Sequence, residues 1–216
     1  MNDTILILAP HTDDGEFGCG VSIARFIKEG KNVYYAAFSL AEESVPAPFP
    51  KNILETEVKA AIKQLGIPEK NLLLFRYKVR NFAFFRQEIL EDLVKLNNDI
   101  KPDLVFMPSI NDLHQDHSTI AQEGLRAFKK TSILCYELPW NNINFSTNCF
   151  ISLDENELSL KVLALDCYDS QKGRNYVSEQ FIRSLAITRG TQIGTRYAEV
   201  FEVIRWIMVH NNTLSI

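Results

Sequence analysis

The chain reads as one α/β domain with a largely parallel sheet flanked by helices. Two observations predict this class. Short apolar runs alternate with longer helical patterns along the sequence, the order expected of strands alternating with helices in one sheet. The length, 216 residues with 46% apolar side chains, suits a single domain with a substantial core. No internal repeat or low-complexity tail interrupts the pattern.

In chain order, the first strand is expected over residues 4–9, the apolar run TILILA. A helix follows over 18–29, and Gly30 stops it. A second strand covers 32–38. The proline-rich stretch AEESVPAPFPK, residues 41–51, is a loop, because periodic segments resume on both sides of it. The helix over 53–65 ends where Gly66 and Pro68 halt it. Strands at 71–75 and 103–107 enclose a helix at 84–97. A helix at 119–130 leads to strands at 132–137 and 148–153. Helices at 155–168 and 176–187 precede the last strand, 197–204.

Composition excludes several classes. Net charge is −4, and lysine and arginine are scattered, so no basic nucleic-acid face is evident. No stretch approaches the roughly 20 apolar residues of a membrane span. The N-terminus lacks a basic region ahead of its apolar run, which argues against a secretory leader. Cys19, Cys135, Cys149 and Cys167 are widely spaced with no CxxC, which suits reduced thiols in a cytoplasmic protein. The segment GEFGCG, residues 15–20, is neither GxGxxG nor a Walker pattern with its lysine. Gly18 and Gly20 instead allow the chain to turn and a helix to approach the sheet.

Two polar clusters each follow an apolar strand. PHTDDG, residues 10–15, carries His11, Asp13 and Asp14. INDLHQDH, residues 110–117, carries Asp112, His114, Asp116 and His117. Three of the four histidines fall here, and only His210 lies elsewhere, in the expected exposed tail. Alone, the first cluster reads equally well as a polar helix cap, and the second reads better as a helix N-terminus with exposed histidines. In open α/β sheets, however, ligands bind beyond the carboxyl ends of the strands. If the two strands are parallel neighbours, the clusters converge. Two histidines and a carboxylate then form a zinc ligand set with a fourth position for water. The remaining aspartates and histidine suit proton transfer, oxyanion stabilisation and fixing of a histidine tautomer.

These residues resemble the LmbE-like (PIG-L-type) zinc-dependent N-deacetylases. That family carries a Pro-His-Pro-Asp-Asp segment after its first strand and a His-x-Asp-His segment after a later one. They stand here as Pro10-His11-Thr12-Asp13-Asp14 and His114-Gln115-Asp116-His117. ETEVKAAIKQLGI and TRGTQIGTRYAEVF are similar to further family segments in the same order. Thr12 replaces the family's second proline, Gly15 takes the place of a glutamate now found at Glu16, and the family's arginine before the Leu-Gly helix has no counterpart.

The resemblance implies a Rossmann-like fold and removal of an acetyl group from an N-acetylated amino sugar or its conjugate. It implies His11, Asp14 and His117 as ligands of one catalytic Zn2+, with another divalent metal as the alternative. It implies Asp13 as general base, His114 as the group that polarises the acyl oxygen, and Asp116 as the partner of His114. A homo-oligomer is compatible with it. Arg80, Arg189 and Tyr197 are candidate substrate contacts, and Phe82, Phe84 and Phe85 are candidate stacking or core aromatics. Two rival functions fit the same residues: a metal-dependent phosphoesterase and a non-catalytic metal-binding module.

Overall fold

The computed structural model describes residues 3–208; His210 lies outside them. The strands are β1 (Thr4–His11), β2 (Asn32–Ser39), β3 (Leu72–Leu74), β4 (Leu104–Pro108), β5 (Ser132–Tyr136), β6 (Cys149–Leu153) and β7 (Tyr197–Arg205). The helices are α1 (Asp14–Lys28), α2 (Ile53–Gln64), α3 (Arg86–Ile100), α4 (Gln115–Ala127), α5 (Glu155–Asp166) and α6 (Glu179–Gln192).

All strands join one sheet in the order β3-β2-β1-β4-β5-β7-β6. The pairings β3–β2, β2–β1, β1–β4 and β4–β5 are parallel, and β7 runs antiparallel to both β5 and β6. The chain winds outward from β1 to β3, then returns to lay β4 against the other side of β1. The strand order therefore reverses between β1 and β4, the place where open α/β sheets form a crevice.

Burial on both faces explains why β1 reads as an unbroken apolar run. Ile5, Ile7 and Ala9 enter a core with α1, α2 and α5. Leu6 and Leu8, on the alternate face, pack with Ile89 and Leu93 of α3 and Ile120 of α4. Each such side chain contributes about 1.5–3 kcal/mol relative to exposure. All four cysteines are free thiols, and no described helix is long and apolar enough to cross a membrane.

Two helices start earlier than their apolar pattern suggests. α1 begins at Asp14 rather than residue 18, and α4 at Gln115 rather than residue 119. In both, the first turn carries polar site residues, Asp14 in α1 and Asp116 and His117 in α4. Asp14, Glu16 and Asp116 suit the positive end of a helix dipole. At α4, the ring Nδ1 of His114 accepts the Asp116 N–H at 3.2 Å, which caps the helix. The loop and helix-cap readings of these clusters thus describe the same residues. α6 starts later than expected, at Glu179, because Ser178 caps it by accepting the Phe181 N–H. α3 likewise follows a short turn over Phe82–Phe85.

The glycines of α1 let it lie close to the sheet. A Cβ on Gly18 would sit 2.3 Å from the Tyr136 ring, and one on Gly15 would sit 2.5 Å from the Tyr35 ring. Gly18→Ala should therefore destabilise the fold by about 1–3 kcal/mol through overpacking, measured by urea unfolding. Stability equal to the parent would show that Tyr136 moves aside freely.

Candidate active site

β1 delivers His11 at its carboxyl end, and the α4 turn after β4 delivers His117. The pairing of Ile5, Leu6 and Ile7 with Leu104, Val105 and Phe106 sets them side by side. His11 Nδ1 lies 3.2 Å from Asp14 Oδ2, His117 Nε2 lies 3.2 Å from the same oxygen, and the two ring nitrogens are 3.2 Å apart. Tetrahedral ligands at zinc distances of ~2.0–2.1 Å are separated by about 3.3 Å. The three atoms are therefore spaced as the ligands of one divalent ion would be.

A second set of carboxylates fixes both rings. His117 Nδ1 lies 2.9 Å from Asp112 Oδ2, and His11 Nε2 lies 3.1 Å from Asp116 Oδ2. A carboxylate can only accept, so each of those nitrogens carries the proton. The opposite nitrogens, the two that face Asp14, are the ones a metal would take up on displacing their protons. Asp112 and Asp116 are themselves buried. Asp116 also accepts backbone N–H groups from Arg80 at 2.6 Å and Phe82 at 3.3 Å.

This corrects one sequence expectation. The Asp116 carboxylate hydrogen-bonds His11, and only its backbone N–H meets His114. Burial, then the neighbouring His11 and His117, push the His114 pKa down to about 4. His114 is a neutral ring rather than a charged one. Because its Nδ1 accepts the Asp116 N–H, its proton sits on Nε2. His11, His114 and His117 place ring nitrogens within 4.8 Å of one another. The engaged Nδ1 of His114 and the tight triangle favour Asp14 as the third donor.

The two adjacent aspartates have opposite environments. Burial would raise the Asp14 pKa, but His117 and His11 outweigh it and hold the group well below the usual carboxylate range. Asp13 sits at the helix cap position, yet its side chain caps no backbone N–H. Burial, and then the charge of Asp14, push its pKa up to about 6. Burial also opposes a charge on His117, but Asp14 and Asp112 overcome this and raise its pKa to about 10. The site favours positive charge at the triangle.

The loop is anchored from behind. Glu16 is fully buried and accepts from the hydroxyls of Tyr35 and, at 2.9 Å, Tyr168. Tyr168 is also 2.7 Å from the Thr12 carbonyl, and Tyr35 accepts the Gly15 N–H at 3.0 Å.

The triangle opens on a cleft of about 200 Å³. Ala41 and Ser44 of the proline-rich loop form part of its wall, as does Arg80, which adopts a left-handed φ of 67°. Arg189 and Tyr197 do not line it. Arg189 pairs with Glu137, and the Tyr197 hydroxyl donates to Glu155 at 2.7 Å. Phe82 is buried and Phe84 is 82% exposed, so neither supplies the aromatic wall. That wall is Trp140 stacked on Tyr176, with ring centroids 3.9 Å apart, and Phe17 set edge-on to both. Trp140 lies in the loop after β5, and Arg174 and Tyr176 lie between α5 and α6, Tyr176 in a short 3₁₀ turn over Asn175–Val177 that begins the stretch expected as a helix from residue 176.

The model of the PIG-L family, described as GlcNAc-PI de-N-acetylase, matches residues 6–128, which include every residue of the triangle. The chain belongs to this family. An uncharacterised deacetylase of Escherichia coli K12, YaiS, is 28% identical over 177 residues, covering 77% of this chain and 90% of the relative. A probable N-acetyl-α-D-glucosaminyl L-malate deacetylase 2 of Bacillus subtilis 168 is 25% identical over 190 residues, covering 79% and 84%. The N,N'-diacetylchitobiose deacetylase of Pyrococcus horikoshii shares the fold with a TM-score of 0.76 at 19% identity, covering 94% of this chain and 84% of that one.

Asp112→Asn should lower affinity for a divalent metal by roughly 10–100-fold, because the His117 ring loses its orienting acceptor. Competition against a chromophoric chelator reads this directly. Parental affinity in the variant would remove Asp112 from that role.

Proposed function

We propose that the chain is a zinc-dependent hydrolase that removes the acetyl group from an N-acetylated sugar conjugate. The observation that carries this reading is the triangle of His11, Asp14 and His117 beside an Asp13 carboxylate that caps nothing and faces the cleft. Those three residues would hold the ion, and when bound it supplies Lewis acidity toward water and the acyl carbonyl.

The chain's own groups carry the rest. Asp13, with its raised pKa, accepts the proton of the attacking water. The Nε2–H of neutral His114 donates to the acyl oxygen as negative charge develops on it. The C–N bond then breaks, and Asp13 returns its proton to the departing nitrogen. Acetate and a free amine result. Neutral His114 is suited to hydrogen-bond donation rather than to proton delivery.

Other readings have less support. A two-metal phosphoesterase needs a second donor set, and Asp112 and Asp116 are already committed to the histidine rings. A closed structural metal site does not explain the adjoining cleft.

The cleft also bears on the substrate. The Trp140–Tyr176 stack offers an aromatic face for a sugar ring. Arg80 and Arg174 line the cleft without a carboxylate ion-pair partner among the described residues, whereas every other arginine except Arg205 has one. Such a pair suits an acidic group on the conjugate. This agrees with the malate conjugate named for the B. subtilis relative.

The test is amine release by zinc-loaded protein from paired neutral and acidic N-acetylglucosamine conjugates. Acidic conjugates should show the higher kcat/KM, and Arg174→Ala should narrow the difference. No amine from any member would refute the deacetylase reading.

Asp13→Asn should bind zinc normally but lose roughly 10²–10⁴-fold in kcat. In the parent, kcat/KM should fall as acid protonates Asp13. That limb should lie at or below pH 6, since a bound cation favours the carboxylate over its metal-free pKa of about 6. Parental turnover in Asp13→Asn would remove it as the base.

A further inference from the structure

α1 is not one continuous helix. Cys19 has φ −147° and ψ 23°, which breaks the helix one turn after the site. In an unbroken helix the Val21 N–H would donate to the Phe17 carbonyl. Here the Val21 N–H donates to Glu199 Oε1 at 3.1 Å, and the Phe17 carbonyl accepts from Lys161 Nζ at 2.6 Å. Lys161 and Glu199 meet each other at 2.8 Å. A buried ion pair thus engages the donor and the acceptor that an unbroken helix would join to each other. Glu199 Oε2 additionally accepts the Ser22 N–H at 2.8 Å and the Ser22 hydroxyl at 2.7 Å.

Both side chains are only 7% exposed. Burying two charges is costly, and replacing such a pair by apolar residues is often neutral or stabilising. Stability alone is therefore a poor reason for this pair. Its hydrogen bonds instead specify one backbone path: they cap the carbonyl end of the first turn and the N–H end of the second. The first turn carries Asp13, Asp14 and Phe17 into the cleft, whereas Lys161 and Glu199 do not reach it. Gly20 keeps the approach open, since a Cβ there would be 3.0 Å from Lys161 Cγ. Lys161 on α5 and Glu199 on β7 both lie beyond residues 6–128, the span the family model matches.

We propose that Lys161 and Glu199 are positioning residues: their ion pair sets the break in α1 and so places Asp13 and Asp14 against His11 and His117. The inference rests on the metal-site reading for its affinity readout, but its structural readout stands apart from that reading.

The experiment compares the parent with the double variant Lys161→Met/Glu199→Leu, whose apolar pair removes the caps without leaving an unpaired charge. We expect its crystal structure to show the Val21 N–H rejoined to the Phe17 carbonyl in a continuous helix. Zinc affinity by chelator competition should fall roughly 10-fold or more. The kcat for amine release should fall about 100-fold with little change in KM, as for a misplaced reacting group.

Four outcomes overturn the proposal: a break retained with parental affinity, a closed break with parental affinity, lost affinity with the break retained, or a lower melting temperature as the only change. If the parent itself binds no zinc or releases no amine, the functional reading fails, and the helix path in the variant still decides whether the pair sets the break. Should the double variant not fold, Glu199→Gln, which keeps shape but removes the charge, should show a smaller loss of zinc affinity at a parental melting temperature. Parental affinity there overturns the proposal equally.

Discussion

His11 leaves the end of β1, His117 rides on the first turn after β4, and these strands are hydrogen-bonded neighbours at the reversal of strand order. Residues more than a hundred positions apart are thereby held within hydrogen-bond distance. Strand pairing is rigid because side chains on both faces are buried in packed cores. The donors therefore gather before any ligand arrives, with little chain entropy left to lose on binding.

Pre-gathering concentrates charge, and the site manages it by division of labour. Asp14 stays ionised between two imidazoles, while its neighbour Asp13 is raised by burial and by Asp14 itself. Two adjacent carboxylates with separated proton affinities fit a ligand and a base. Asp112 and Asp116 hold the far nitrogens of His117 and His11 and so turn the near ones toward Asp14, the orientation a metal site would need. His114 takes no carboxylate and remains neutral, its proton fixed by a helix cap.

The strands and the two polar clusters were legible because burial on both faces leaves runs such as ILILA and LVFM almost free of polar residues. The early starts of α1 and α4 were hidden because their first turns carry site residues with no apolar period. The partner of Asp116 could not be read from its neighbour His114, since backbone groups of Arg80 and Phe82, from a distant loop, turn the carboxylate toward His11. Trp140 and Arg174 lie between regular elements and Tyr176 in a short 3₁₀ turn, and only tertiary placement brings the three to the cleft. Arg189 and Tyr197 belong to the family-like C-terminal segment, but their polar ends are taken up by Glu137 and Glu155. From that segment Glu199 instead reaches α1, a contact between the end of the chain and its beginning that no local pattern announces.

The most direct measurement is an anomalous-difference map from crystals of the zinc-loaded protein. One peak should appear within ~2.0–2.2 Å of His11 Nδ1, Asp14 Oδ2 and His117 Nε2 together. A peak that draws in His114 while sparing Asp14, or none at these three atoms, would contradict the assignment of the site.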